Sequence, residues 1–178
     1  MFDKILVAVD SNDTCQPVFN KALSLAQLTA VNLMLVNVIS PFDEQYPYPI
    51  YAYPNTAVPA LYGEVLKEYI QQSEKIKQDK IKFLSQLCQQ AIDLGINAEF
   101  KILFGDPSRV ICEIAQAWNA DLIIIGRRGR TGLSELFLGS VSNYVLHHAP
   151  CSVLTVQQSI TANSQEIQQV QTANYLQV

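Results

Sequence analysis

Short apolar segments alternate along the chain with longer segments that have the apolar spacing of a helix. Five segments are predicted to be strands, over residues 4–10, 32–39, 97–103, 122–125 and 152–156. Several of them are almost wholly aliphatic, as strands that are covered on both faces are. Strands that alternate with helices favour a parallel sheet with helices on both faces. We therefore predict an open α/β fold with a five-stranded parallel sheet.

Four helices are predicted between these strands, over residues 15–30, 60–94, 107–118 and 141–148. The second carries one apolar stripe at spacings of three, four and seven residues: Ile76, Phe83, Leu84, Leu87, Cys88 and Ala91. Gly95 is well placed to end that helix, because glycine readily adopts the left-handed conformation that follows many helices.

Length, charge and the N-terminus exclude several classes of function. At 178 residues the chain has the size of one domain. Its net charge of −4 argues against unspecific nucleic-acid binding, which needs a basic surface. No apolar run reaches the roughly eighteen residues of a membrane span, and residues 1–4 do not resemble a signal peptide. We expect a cytoplasmic protein with neither a nucleic-acid nor a membrane partner.

Two segments differ in composition from the rest of the chain. Residues 41–62 carry five of the eight prolines and five of the eight tyrosines, and these tyrosines either cover a ligand or dock on a partner. Residues 157–178 contain seven glutamines and a single charge. We divide the chain into a domain over 1–156, which includes the 41–62 loop, and a glutamine-rich extension over 157–178.

Glycine is concentrated in one segment that directly follows the fourth predicted strand. Four of the seven glycines, Gly126, Gly129, Gly132 and Gly139, lie within fourteen residues, where an even distribution would place about half a glycine. Glycine-rich turns let backbone N–H groups converge on an anion. The helix that follows adds its free N–H groups and dipole, and Ser140 adds a hydroxyl. The segment predicts a phosphate site, although Gly132 equally fits a simple turn.

Asp10, at the end of the first predicted strand, is the second candidate site residue. In an open parallel sheet, ligands bind beyond the carboxyl ends of the strands, where the strand order reverses. Asp10 therefore either contacts a ligand there or caps the following helix. Phosphate contacts alone would barely offset the free energy cost of association, so a nucleotide fits better than free phosphate.

Other polar residues leave alternatives open. Arg127, Arg128 and Arg130 are either solvated or contact phosphate, and we include Arg128 among the nucleotide-binding candidates. His147 and His148 are adjacent on a predicted helix and point in different directions, so they cannot share a metal ion.

The four cysteines, at positions 15, 88, 112 and 151, show no metal-ligand spacing and are read as small core residues. Cys15 stands at a predicted helix N-terminus, where the dipole lowers a thiol pKa. It is therefore either a buried, inert thiol or a reactive one.

The spacing G-x2-G-x9-G-S from Gly126 to Ser140 resembles the loop of ATP-binding members of the universal stress protein family. The resemblance extends over residues 1–156 and includes the turn 105–107 and the segment 148–154. It departs from the family at Asn37, where many members have histidine, and at Ser152, where proline is frequent.

The resemblance implies a Rossmann-like sheet of the adenine nucleotide alpha hydrolase type, with strand order 3-2-1-4-5. It also implies that Asp10 contacts the ribose or a phosphate-bound cation such as Mg²⁺, and that Ala8 and Val38 line the adenine slot. The residues that would surround the phosphates are Ile125, Gly126, Gly129, Gly139, Ser140 and Val141. The ligand would be ATP, or alternatively ADP, AMP or cyclic AMP.

The last predicted strand indicates a homodimer. Bare apolar strand edges are prone to aggregate unless they are paired. In proteins that this chain resembles, that strand pairs antiparallel with its copy across a two-fold axis. Val153, Leu154 and Val156 would then lie at the interface.

We expect an adenine-nucleotide-binding regulator of the stress response that acts as a dimer on an unknown protein partner. No convincing general base lies near residues 126–140, and phosphoryl transfer needs a positioned nucleophile and charge stabilisation. Two alternatives remain at this point: a slow ATPase or phosphotransferase, and a structural or chaperone-like dimer whose loop holds only a simple anion.

Overall fold

The computed structural model describes residues 2–10, 15–28, 30–40, 59–127 and 139–157, of which 59–62 are described by their backbone alone. The elements are β1 (Lys4–Ala8), α1 (Cys15–Leu28), β2 (Asn32–Ile39), α2 (Pro59–Asp93), β3 (Asn97–Phe104), α3 (Pro107–Trp118), β4 (Leu122–Arg127), α4 (Ser140–His148) and β5 (Ser152–Gln157). The predictions for the tyrosine-rich loop before α2, for residues 128–138 and for the extension after β5 lie outside the described residues.

The five strands form one parallel sheet in the order β3-β2-β1-β4-β5, which confirms the predicted topology. The central strands β1 and β4 are buried over most of their length, because helices cover both faces. Helices α1 and α2 cover one face around a cluster that includes Phe19 and Leu84. Helices α3 and α4 cover the other face around a cluster that includes Ile111 and Val145.

The edge strand β3 alternates between exposed and half-buried residues over most of its length. Ala98, Phe100 and Ile102 pack against the cluster on the α1–α2 face, as their alternation predicts. Glu99 and Lys101 between them are exposed. One covered face therefore suffices to specify the register of this strand.

The helix and strand boundaries differ from the predicted ones by at most two residues. Strand β1 ends at Ala8 rather than Asp10, although the Val9 N–H still donates to the Val36 carbonyl at 2.9 Å. Strand β4 continues through Gly126 to Arg127, because β5 extends beside it to Gln157. Among the described helices, none is both long and apolar enough to cross a membrane.

Turn residues end α2 and begin α3. Gly95 follows α2 with a φ of +80°, the left-handed conformation that the sequence predicts. Asp106 caps α3, since its Oδ1 accepts from the N–H of Ser108 at 2.8 Å and of Arg109 at 3.4 Å. The Ser108 hydroxyl also donates to Asp106, and this bond and the backbone bonds hold the pKa of the Asp106 carboxyl below its usual value.

Candidate functional site

The order in which the chain adds strands to the sheet reverses between the neighbouring strands β1 and β4. Helix α1, on one face of the sheet, connects β1 to its neighbour β2. Helix α3, on the opposite face, connects the edge strand β3 to β4, which lies on the other side of β1. Ala8, at the end of β1, lies in register with Val36 of β2 and Ile125 of β4. This is the switch point at which open α/β sheets bind ligands.

Four of the apolar residues assigned to the site come together on one face of the sheet. Ile125 belongs to the cluster between the sheet and helices α3 and α4, and Ala8, Val38 and Val141 pack against that cluster. They come from β1, β2, β4 and the start of α4, so these elements supply apolar side chains around one region. Ala8 and Val38, the two residues assigned to the adenine slot, therefore lie on the same face of the sheet as Ile125 and Val141, which were assigned to the phosphates.

Only some of the residues assigned to phosphate binding belong to the part of the chain that the structure describes. Gly126 lies near the end of β4, opposite Val156, and Gly139 immediately precedes α4. Arg128 and Gly129, with Gly132 and Arg130, lie outside the described residues. The glycine segment is therefore described only at its two ends.

The N-terminus of α4 opens at the carboxyl edge, because α4 leads back to the amino end of β5. Its N-cap residue Gly139 has no side chain to cap the first turn, and its carbonyl accepts from the Asn143 N–H at 2.9 Å and the Ser142 hydroxyl at 3.0 Å. The exposed Ser140 begins the helix. The first N–H groups of a helix have no partner within it, so this end can receive an anion.

Asp10 is engaged by a lysine that sequence reasoning missed. The Lys80 ammonium Nζ lies 3.4 Å from Asp10 Oδ1. Lys80 projects from α2, and its side chain is 11% exposed, whereas that of Asp10 is 40% exposed. The lysine thus pairs with the carboxylate from inside the protein and leaves part of Asp10 open to solvent.

A signal for Lys80 was present in the sequence. Lys80 stands four residues after Ile76 and four before Leu84, in register with the apolar stripe of α2. A lysine in such a stripe is either directed outward or buried with a partner, and lysine is almost never buried unpaired. Only the packing of α2 beside the end of β1 identifies that partner as Asp10.

Asn37 ties the ends of β1 and β2 together. It is 2% exposed, and its amide Nδ2 donates to the Val9 carbonyl at 2.8 Å. The sequence marked Asn37 only as a departure from the family pattern. The structure gives it a positioning role, because this bond fixes the backbone directly before Asp10.

Cys15, at the start of α1, is a buried thiol. Burial, with the nearby Asp10 carboxylate, raises the pKa of this thiol to about 11, and Lys80 opposes the shift. Desolvation therefore outweighs the helix dipole that favours the thiolate. This result supports the inert reading of Cys15 over the reactive one.

We predict that Cys15 resists alkylation in the folded protein. At pH 8 a thiol with a pKa near 11 is almost entirely protonated, and the thiolate is the nucleophile. Treatment with iodoacetamide, followed by peptide mass spectrometry, should leave Cys15 unmodified until urea is added. Modification of Cys15 in the native protein at the rate seen in urea would contradict this prediction.

Two other groups of polar residues have structural contacts. Arg127 Nη1 donates to Gln157 Oε1 at 3.0 Å, which links the ends of β4 and β5. The His148 ring stacks on Tyr144 with 3.9 Å between the ring centroids. Its Nδ1 also lies 2.9 Å from the Tyr144 carbonyl. These contacts agree with a structural role for His148.

Comparison with known proteins agrees with this architecture. The model of the universal stress protein family matches residues 1–157. The chain belongs to the universal stress protein family. It is 37% identical to the universal stress protein Sll1388 of Synechocystis over 88% of this chain and 98% of that protein.

Solved structures of the family share the fold. The UspA protein of Lactobacillus plantarum is 27% identical and superposes with a TM-score of 0.62, over 86% of this chain and 97% of that one. An Arabidopsis thaliana family member solved with AMP bound (20% identical, TM-score 0.57) covers 93% of this chain and 99% of its own. A universal stress protein solved with cyclic AMP (21%, TM-score 0.54) covers 89% and 98%.

The Asp10 carboxylate fits a magnesium ion poorly at its Oδ1 oxygen. Within the described ranges, no three His, Cys, Asp or Glu side chains come together to hold a metal ion. Asp10 is the carboxylate that the sequence offers for this role, and its Oδ1 already faces the Lys80 ammonium. A cation on that oxygen would meet a second positive charge at close range.

Proposed function

We propose that this protein binds an adenine nucleotide at the carboxyl edge of its sheet and acts as a regulatory protein of the stress response. One observation carries the proposal: the apolar residues Ala8 and Val38, the Asp10 carboxylate and the N-terminus of α4, which has no side-chain cap, all lie at the edge where the strand order reverses. A nucleotide needs these three environments for its base, ribose and phosphates.

The assigned roles follow from the chemistry of each group. Ala8 and Val38 present apolar surface to the adenine, and Asp10 accepts from the ribose hydroxyls. Gly126 and Gly139 allow the phosphates to approach the backbone, and Ser140 and the first N–H groups of α4 donate to them. Arg128 and Gly129 complete this set as predictions from the sequence.

An adenine base is favoured over other ligands by two fold relatives, which were solved with AMP and with cyclic AMP. Their identity to this chain is low, so they support an adenine site in this fold without selecting among ATP, ADP, AMP and cyclic AMP. The four free thiols fit a reducing cytoplasm. The bound nucleotide would change the surface that a protein partner recognises.

The experiment that tests the proposal is mass spectrometry of small molecules released from the freshly purified protein, followed by calorimetry with ATP, ADP, AMP and cyclic AMP. We expect at least one of them to bind with a dissociation constant in the micromolar range or below. Binding of inorganic phosphate with no measurable affinity for any adenine nucleotide would overturn the proposal.

We also propose a homodimer that pairs through β5. This strand lies at the edge of the sheet, beside β4, and the apolar residues Val153, Leu154 and Val156 are only partly buried. An edge of this kind is a template for pairing with another chain. Antiparallel pairing of two copies across a two-fold axis would cover it in both.

Light scattering at micromolar concentration should give twice the 19.9 kDa mass of one chain. Replacing Val153 by lysine places like charges at the interface, so we expect the mass to fall to that of a monomer. The control is Leu28→Lys on α1, where the leucine is 81% exposed. A native monomer, or a Val153→Lys variant that remains dimeric, would contradict the β5 interface.

A further inference from the structure

Lys80 is a buried cation whose presence packing does not explain. The residue is 9% exposed and lies between Ile76 and Leu84 on the apolar stripe of α2. Burying an ammonium is costly, and a buried ion pair can often be replaced by apolar side chains without loss of stability. Stability of the fold alone therefore does not explain why this position holds a lysine instead of an apolar residue.

The two residues of the ion pair differ in their exposure to solvent. Lys80 approaches Asp10 from the α2 side and is nearly closed off from solvent, whereas the Asp10 side chain keeps 40% of its surface exposed. Both charges act on the buried Cys15 thiol at the start of α1, which the carboxylate and the ammonium influence in opposite directions. The positive charge is thus built into the protein behind the carboxylate.

This charge matters for a ligand that is itself an anion. A carboxylate beside nucleotide phosphates is repelled by them, and many nucleotide sites relieve such repulsion with Mg²⁺ bridging carboxylate and phosphate. Here the carboxylate already has an internal counter-charge, because the Lys80 ammonium lies 3.4 Å from Asp10 Oδ1.

We propose that Lys80 is a positioning residue that holds and neutralises the Asp10 carboxylate, so that this protein binds its nucleotide without a divalent cation. The inference rests on the proposed nucleotide site. It adds that the positive charge at Asp10 comes from α2 and that nucleotide binding at this site does not require a magnesium ion.

Calorimetric titration of the full chain with ATP, once in EDTA and once in excess Mg²⁺, tests this inference. For the native protein we expect the two dissociation constants to agree within about threefold. Lys80→Met removes the charge but keeps an unbranched apolar side chain, and we expect its affinity in EDTA to fall about tenfold, equivalent to about 1.4 kcal/mol. Adding Mg²⁺ should restore much of that loss.

The matched control is Lys82→Met on the exposed side of the same helix, which changes the net charge equally and should leave both constants unchanged. The double variant Asp10→Asn/Lys80→Met removes both charges and tests the coupling even if Lys80→Met fails to fold. If Lys80 acts through Asp10, the double variant binds ATP in EDTA as Asp10→Asn alone does.

Three outcomes would overturn the inference. They are native binding that weakens tenfold or more in EDTA, a Lys80→Met variant that matches the native protein in EDTA, and a double variant that loses affinity beyond Asp10→Asn. If the native protein binds no adenine nucleotide in either buffer, the proposed function itself fails, and the inference falls with it. That result is distinct from the other three.

Discussion

Replacing Gly139 by valine should reduce the affinity for adenine nucleotide by about 100-fold while the sheet stays folded. Gly139 is the N-cap residue of α4, and its φ of −57° and ψ of 152° are open to any residue. Backbone conformation therefore does not require glycine here. A branched side chain at this position would crowd the phosphates and separate them from the first N–H groups of the helix.

The size of the effect follows from the contacts that are lost. Hydrogen bonds to charged groups contribute about 1.5–3 kcal/mol each, so losing one or two of them corresponds to roughly 100-fold in affinity. Changing glycine to valine at an N-cap costs the helix at most about 1 kcal/mol. For a domain of this size that shifts Tm by only about 2–4 °C.

Calorimetry and thermal unfolding of the same samples separate these effects. Gly139→Ala, with a smaller side chain, should lose affinity to a lesser degree than Gly139→Val. Gly95→Ala serves as the control at the amino edge of the sheet, where we expect lower stability with unchanged affinity. Gly139→Val binding as tightly as the native protein would show that the phosphates do not lie at this helix end.

The fold was predictable because its signals are local and repeated. The aliphatic residues of β1 and β4 can only be buried on both faces, and the stripe on α2 fixes which side of that helix meets the sheet. The ends of strands were harder to predict where hydrogen bonding to a neighbouring strand determines them. Strand β4 reaches Arg127 because β5 lies beside it, and no local pattern at Gly126 shows this.

Candidate site residues could be named from the sequence only where a short segment shows its chemistry by itself. The glycine spacing made Gly126 and Gly139 candidates from sequence alone, and Asp10 became a candidate from its place at the end of a strand. Lys80 could not be assigned in the same way, because its partner is seventy residues away. The contact depends on the packing of α2 against the sheet. The sequence shows a lysine within an apolar stripe, but it does not show which residue the lysine contacts.

Three glycines that lie outside the proposed site should respond very differently to alanine, in an order set by their backbone and surroundings. Gly63 lies inside α2, and beyond the adjacent backbone of the helix an added Cβ would have no atom within 4 Å, so Gly63→Ala should stabilise by about 0.5–1 kcal/mol. Gly95, with a φ of +80° and open space, should cost about 1–2 kcal/mol, the strain of a left-handed residue.

Gly105→Ala should have the largest effect on stability, about 2–4 kcal/mol. Its φ of +137° belongs to a region that L-residues rarely adopt, and an added Cβ would lie 3.0 Å from Val110 Cγ2. The Gly105 N–H also donates to the Ile39 carbonyl at 3.1 Å, so relief of the strain would disturb the pairing of β2 with β3.

Urea unfolding of the three variants measures this series. With a slope of about 2 kcal/mol per molar urea, Gly105→Ala should lower the midpoint by about 1–2 M and Gly63→Ala should raise it slightly. Equal midpoints for Gly95→Ala and Gly105→Ala would show that the contact with Val110 is relieved without cost and that backbone strain alone requires glycine at both turns. A Gly105→Ala variant as stable as the native protein would contradict the conformation of the turn itself.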